Sequence, residues 1–594
     1  MGPKKDEKGQ DKKKRSSAAA AASPDDDEQQ EDTQEQPAKK VKGRSKKRSS
    51  SATGETPPPP ALLRHQSTWT QSPNLVVMML GGAAGPWYPR LVHGRLAQDQ
   101  GCRKEHIQNC THFRGGDEIH GTTGQKVKER PIASTFYAPF DLYERGKFDE
   151  ILEGMVSSHA QNEDMAISEA MTSKMFEDAK TGVGLDLAAQ ILQQGRDHGI
   201  AGYNRWRHLC GLPKAASFQG LSDVVAPENI KKLQGIYKHV DDVDLFTGGL
   251  AEKPNCGALV GPTFGCLIGR QFHHLRRGDR YWYEDDIPPS SFTKEQLYEL
   301  CKTSLGRVIC DSSDKLQHVQ PKVMLEADSF LNAPMACQGK HIKGVDLKKW
   351  KTASPNFIIP DKMLQESIER ARRDITNMRD SEWNLWEARQ PLPSPRLIST
   401  NMHNDVSAPH VRYTLMVMQW GQLIDHDIIF TPINKGYREQ MNQVTGFVDA
   451  SHTHGSDKCE QRQLRMLTDG KLRGTPNPLR GKLLLPTEQE NHECQAPSGR
   501  CFIGGDTRAS EQPGLTALHT LMMREHNCVA GELKRLNKHW SDEQLFQNAR
   551  RIVTAINQHV TYNEWLPRVL GWNAVNLYGL NLLPEGHYEG YDAY

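Results

Sequence analysis

The chain has 594 residues, enough for two to four domains of ordinary size. Seventy-five Lys and Arg stand against 73 Asp and Glu, and the formal charge of +2 excludes a global pull toward nucleic acid or an anionic membrane. Twelve cysteines without a CxxC motif argue against zinc ribbons and thioredoxin-like redox sites.

Residues 1–60 alternate charge blocks: 4-KKDEKGQDKKKR-15, 25-DDDEQQEDTQEQ-36 and 39-KKVKGRSKKR-48, with a poly-Ala stretch and 57-PPPP-60. Such a composition cannot bury a core, so 1–124 reads as a disordered low-complexity tail and linker. The 39–48 block fits a nuclear-localisation or polyanion-binding patch, or simply a solvated charged tail. Met1 leads straight into charge, so no secretory signal opens the chain. The apolar run 75-LVVMMLGGAAG-85 is too short to span a bilayer, and a non-membrane protein is expected. Asn109-Cys110-Thr111 is a glycosylation acceptor for a chain on the secretory route.

Helical spacing of apolar residues predicts helices over 138–156, 163–179 and 185–199, the last closed by Gly199. Short helices follow to about 315, then a Pro-punctuated, β-leaning stretch to about 360. The segment 361–388 reads as a charged amphipathic helix with Leu364, Ile368, Ala371, Ile375 and Met378 on one stripe. From 407 the chain is mainly helical, and 411–430 is expected to be one helix. Clear strand alternation is scarce, so the fold class is mainly α.

The segment 421-GQLIDHDIIFTP-432 sets Asp425, His426 and Asp427 in a row. At about 100° per residue the three side chains point in three directions, so each serves a different neighbour. Gln422 lies four residues before His426, on its face. Alone, the pattern also fits a core histidine with two paired carboxylates. In 445-TGFVDAS-451, Thr445, Asp449 and Ser451 offer hard oxygen ligands that suit calcium better than zinc, and Asp427 could add a carboxylate. An Asp/Ser turn is the plain alternative. In 504-GGDTRASEQPGLTALHTLMMREHN-527, Arg508 and Glu511 lie three apart, and Leu515, Leu518 and Met522 form a stripe leading to Glu525 and His526.

WGQLIDHDIIFTP, TGFVDAS, GDTRASE, LHTLMMREHN and 561-TYNEWLPRVLG-571 occur in this order over about 401–594. The ordered set resembles the animal haem peroxidase family, which includes myeloperoxidase, peroxinectin and chorion peroxidase. The resemblance implies a haem-dependent peroxidase that reduces hydrogen peroxide and oxidises small donors, halide and phenols among them. His426 resembles the distal histidine, Arg508 the distal arginine, and Gln422 the glutamine beside them. Asp425 and Glu511 match the carboxylates ester-linked to haem b. Asp427, Thr445, Phe447 (by its carbonyl), Asp449 and Ser451 match the Ca2+ shell. Gln512 stands where myeloperoxidase carries a haem-bonded methionine, so that third link is expected to be absent.

The earlier region resembles the other end of the same fold: 184-GLDLAAQILQQGRDHGIAGYNRWRHLCGLP-213, 261-GPTFGCLIGRQFHHLRRGDRYWYE-284 and 304-SLGRVICD-311. The chain thus reads as a C-terminal part (125–345), a linker with an amphipathic helix (346–400), and a distal, N-terminal part (401–594). The family's proximal histidine is not identifiable. In 113-FRGGDEIHG-121, Asp117 takes its place and His120 sits three residues on. Ile191 aligns with the family's asparagine partner of that histidine and Gln194 with a propionate-side arginine, while His198 belongs to the GRDHG signature. The resemblance also implies disulfides Cys210–Cys266, Cys310–Cys337 and Cys494–Cys501, and an extracellular, secreted setting. Three readings stay open: a peroxidase whose two parts dock or belong to a tandem array of peroxidase segments, a catalytically impaired binding or adhesion protein, and a truncated piece of a longer gene product.

Overall fold

The computed structural model describes residues 117–120, 126–130, 134–137, 142, 144, 146–178, 180–339, 342, 344–351, 391–430, 442–477, 481–488 and 501–592. The charged tail, the Asn109 acceptor, the 361–388 helix and Cys494 lie outside these residues. Helices dominate the rest, as the scarcity of strand alternation predicts. The strands pair only in twos: β1 (Asp117–His120) with β2 (Lys126–Arg130), β3 (His159–Gln161) with β6 (Pro409–Thr414), β4 (His318–Val319) with β5 (Met335–Ala336), and β7 (Thr487–Glu488) with β8 (Cys501–Phe502).

Helix α1 (Lys147–Ser157) starts later than 138, after Gly146 in the left-handed region, and buries Phe148, Leu152, Met155 and Val156. The expected helix over 163–179 is mostly irregular, with one short turn at Glu169–Thr172. Local polar bonds win there: Asp164 accepts from the Ala166 amide, Ser168 caps the short turn, and Met175 bridges to Leu185. Helix α2 (Leu187–Asp197) is capped by Asp186, and Gly199 at φ +67° follows its end, as expected. Helix α3 (Pro262–Gly278) opens on Pro262 and buries Phe264, Ile268 and Phe272. Helix α4 (Pro395–Met402), within the expected linker, packs on α2 through Arg396 and Ser399, both bonded to Asp186.

The single helix expected over 411–430 is two elements. Residues 409–414 form β6, because this β-branched and aromatic run finds an antiparallel partner in β3. Helix α5 (Met416–Ile428) then carries the DHD motif. Helix α6 (Pro513–Leu536) runs through the core, burying Leu515, Leu518, Leu521, Met522, Val529 and Leu533. Helix α7 (Asp542–Val560) begins with a Ser541–Gln544 capping box and passes into a π-turn at Thr561–Trp565.

The described residues of the segments before 352 and after 390 contribute to one core. Buried Arg276 pairs with Glu284 at 2.7 Å and donates to the carbonyls of Gly579 and Asn581. Glu564 Oε1 accepts from the Leu305 amide at 2.8 Å, and Tyr562 donates to the Phe272 carbonyl at 2.6 Å. Disulfides Cys210–Cys266 and Cys310–Cys337 are formed as the resemblance implied, and Cys501 is also disulfide-bonded. Among the described residues, no helix is long and apolar enough to cross a membrane.

Candidate active site

The α5 helix is buried on nearly all sides, so its polar side chains must find partners within the protein. The Trp420 indole donates to Thr561 at 3.1 Å, and Trp565 donates to the Val417 carbonyl at 2.8 Å. These bonds fix the helix, and its three consecutive polar residues address two neighbours rather than the expected three: Asp425 and His426 both meet the Asp506–Glu511 turn, and Asp427 meets a separate loop. Asp425 stands 3.6 Å from Arg508 Nη1. His426 lies between Asp506 (Nδ1 to Oδ1, 3.4 Å) and Glu511 (Nε2 to Oε2, 3.6 Å). Asp427 faces the loop at 449–452.

Arg508 sits on a 3-10 turn, Thr507–Ser510, whose N-cap is Asp506. Asp506 accepts from Arg508 Nε at 3.0 Å and from Nη2 at 2.7 Å, and Nη2 also reaches the Ile429 carbonyl at 2.6 Å. The Phe430 ring lies 4.7 Å from the guanidinium carbon. This bidentate grip leaves Nη1 on the side of Asp425. Gln422 donates to Glu511 Oε2 at 3.2 Å. Its own Oε1 accepts from Gln419 at 3.0 Å and from Gln512 at 3.1 Å. The structure therefore brings His426, Arg508, Gln422, Asp425 and Glu511 together, from two stretches about eighty residues apart.

The electrostatics follow from burial. Desolvation pushes the Asp425 carboxyl up to about 6, against the pull of Arg508 and His426. Desolvation also acts on Asp506, but the Arg508 and His426 charges outweigh it and hold its carboxyl well below the usual range. Arg508 is likewise desolvated, and Asp506 more than compensates, keeping it firmly cationic. Asp425 Oδ1 is buried with no hydrogen-bond partner among the described residues. An oxygen left in that state fits a carboxylate that bonds to a prosthetic group at the pocket edge.

The second cluster lies on the far side of α5. Asp427 Oδ2 accepts from the Ala450 amide at 3.0 Å and Oδ1 accepts from Ser451 Oγ at 3.0 Å. Thr445 donates to Asp449 Oδ1 at 2.8 Å. Ala450 holds φ +59°, a left-handed conformation that sets Asp449 and Ser451 on the same side of the loop. Phe447 is partly exposed. Burial raises Asp427 to about 7 and Asp449 to about 6, Asp427 adding like charge to the latter. Two buried carboxylates with hydroxyl neighbours are a donor set that suits a hard divalent cation. Among the described residues no group of three His, Cys, Asp or Glu converges for metal binding. Gly505 ties this loop to the arginine turn: a Cβ there would meet the Ser451 carbonyl oxygen at 2.2 Å.

In the earlier segment, Ile191 is buried in α2, Gln194 is exposed, and burial lowers His198. His120 ends β1, and its side chain is not among the described ones. Sequence reasoning missed Asp506, Gln419 and the inward role of Gln512. Asp506 had a visible signal: an N-cap residue two positions before Arg508.

A mainly α fold thus gathers a buried histidine, a cation held by a carboxylate and two further carboxylates. A family model described as animal haem peroxidase matches residues 102–324, 365–437 and 433–594, and the chain belongs to that family. It is 38% identical to thyroid peroxidase of Sus scrofa over 38% of this chain and 24% of that protein. It is 36% identical to chorion peroxidase of Drosophila melanogaster over 39% of this chain and 28% of that protein. Peroxidasin of Drosophila melanogaster is 35% identical over 41% of this chain and 16% of its own length. Each of these matches thus spans less than a third of the relative. The solved peroxidase A from Dictyostelium discoideum aligns over 30% of this chain and 33% of its own, with 35% identity and a TM-score of 0.27.

Proposed function

We propose that this chain is a haem-dependent peroxidase that reduces hydrogen peroxide at the expense of a small donor, with halide and phenols as donor classes. The observation that carries the reading is the convergence of His426 and Arg508 on Asp506. Haem b supplies, when bound, the iron centre that exchanges electrons with peroxide; Asp425 and Glu511 would hold its edge through ester links. His426 Nε2 acts as the base that takes a proton from peroxide and returns it to the departing hydroxide, giving two waters when two electrons and two protons arrive from the donor. Arg508 supplies fixed positive charge as the O–O bond breaks, and Asp506 prevents its reorientation. Gln422 orders water or anion beside the histidine. Asp427, Thr445, Phe447, Asp449 and Ser451 would bind Ca2+ and brace α5 from behind. The two disulfides agree with an extracellular, secreted setting.

A second reading is a catalytically impaired peroxidase-like binding protein. The buried Ile191 favours it, because an isoleucine cannot hydrogen-bond an axial imidazole. The deciding experiment is the Soret spectrum of the full chain after haem supplementation. A histidine-ligated band that responds to peroxide is expected for the enzyme. No band, with calcium still bound, would establish the binding protein.

A further inference from the structure

The cation loop is gripped from outside by one face of α7. Thr554, Asn557 and Gln558 stand at helical spacing i, i+3 and i+4 and all donate into it. Thr554 Oγ1 reaches the Asp449 carbonyl at 2.8 Å, Asn557 Nδ2 reaches Asp427 Oδ2 at 2.9 Å, and Gln558 Nε2 reaches the Val448 carbonyl at 2.9 Å. Asn557 and Gln558 are fully buried. The Asn557 bond occupies the oxygen of Asp427 opposite the one that Ser451 contacts. Both oxygens of Asp427 meet the loop, Oδ2 at the Ala450 amide and Oδ1 at Ser451, and the Asn557 bond helps to hold the carboxylate in that orientation.

Gln558 also works in the other direction. Its Nε2 donates to Asp279 Oδ2 at 3.0 Å, and its Oε1 accepts from the Tyr283 amide at 3.1 Å. Asp279 and Tyr283 belong to the turn that follows α3, in the earlier segment of the chain. A single amide group therefore bonds to the loop and to the docked segment at once. Moving the Val448 carbonyl moves the amide, and moving the amide breaks its bonds to the α3 turn.

We infer that Asn557 and Gln558 are positioning residues of the cation loop, and that Gln558 couples calcium binding to the docking of the α3 turn. The inference rests on the calcium reading above. Partners behind a ligating group typically change metal affinity about 10–100-fold when removed.

The test titrates the full-length chain with Ca2+ by calorimetry and follows backbone amide exchange at Tyr283 with and without Ca2+. Asp427→Asn examines the underlying reading and is expected to abolish binding. Asn557→Ser and Gln558→Met are expected to weaken Ca2+ binding about 10–100-fold, and Gln558→Met, which leaves the Asp279 carboxylate, the Val448 carbonyl and the Tyr283 amide without that partner, is also expected to lower the calcium-free thermal midpoint. In the native chain Ca2+ is expected to slow exchange at Tyr283, and in Gln558→Met it is not. If the native chain binds no Ca2+, or Asp427→Asn binds it equally, the calcium reading is lost. If Asp427→Asn loses binding while Asn557→Ser and Gln558→Met stay within about twofold of the native chain, the calcium reading stands and the positioning role is overturned. Exchange at Tyr283 that ignores Ca2+ overturns the coupling, and this holds even if Gln558→Met fails to fold, because that measurement uses the native chain.

Discussion

Asp506 grips Arg508 through both carboxylate oxygens and stands 3.4 Å from His426 Nδ1, so one buried anion addresses the proposed base and the proposed electrostatic group together. Asp506→Asn keeps the shape but removes the charge. Peroxide-dependent donor oxidation is expected to fall about 100- to 1,000-fold in kcat, the scale seen when a fixed charge-stabilising group is lost. Steady-state kinetics beside Arg508→Lys checks it. A rate within threefold of the native chain would mean that Asp506 contributes shape alone.

Calcium removal is the second prediction. A cation that binds only the folded chain stabilises it by about 2.7 kcal/mol at a hundredfold excess over Kd. Chelation is therefore expected to lower the thermal midpoint by about 2–3 °C, at roughly 2.1 cal/mol/K of unfolding entropy per residue, and re-addition to restore it. Asp427→Asn should already sit at the lower midpoint and ignore the chelator.

Arg276 joins the two segments, pairing with Glu284 in the first and donating to the Gly579 and Asn581 carbonyls in the second. Both side chains are 2% exposed. Arg276→Met leaves Glu284 buried without its cation, at an expected cost of about 3–5 kcal/mol. Urea unfolding should report that loss, and Arg276→Met with Glu284→Gln should recover part of it. An unchanged urea midpoint would show that Arg276 is neutral to docking.

Glu525 gives a pH signature. Burial pushes its carboxyl up to about 8, and its oxygen accepts from Ser312 at 3.2 Å. Its folded value lies above the unfolded one of about 4.3, so the neutral acid suits the core and ionisation opposes folding. The stability is fully present below about 4.3 and lost as pH rises through about 8. Glu525→Gln should thus be the more stable form at pH 8.5, by on the order of a few kcal/mol, and match the native chain near pH 4. Denaturant midpoints at both pH values decide it.

The parts legible in the sequence were those that short motifs encode. The turning of Asp427 away from Asp425 and His426 followed from helical rotation, and Cys210–Cys266 followed from the resemblance. What stayed hidden was decided by partners distant in sequence. Residues 411–414 keep a helix-compatible pattern, yet β3, some 250 residues earlier, draws them into a strand. The 163–179 run has helical spacing, but Asp164 and Ser168 redirect its backbone locally. Gln419 and Gln512 are ordinary polar residues in the sequence, and only the crossing of α5 with the start of α6 shows that they bond to each other.

The Arg276 guanidinium takes its carbonyl partners at Gly579 and Asn581, 303 and 305 residues downstream. A ribosome adding about 5–20 residues per second needs roughly 15–60 s to cover that distance. For that interval the nascent α3 segment carries guanidinium donors without their carbonyl partners and an uncovered apolar face. Its maturation must therefore wait for late synthesis.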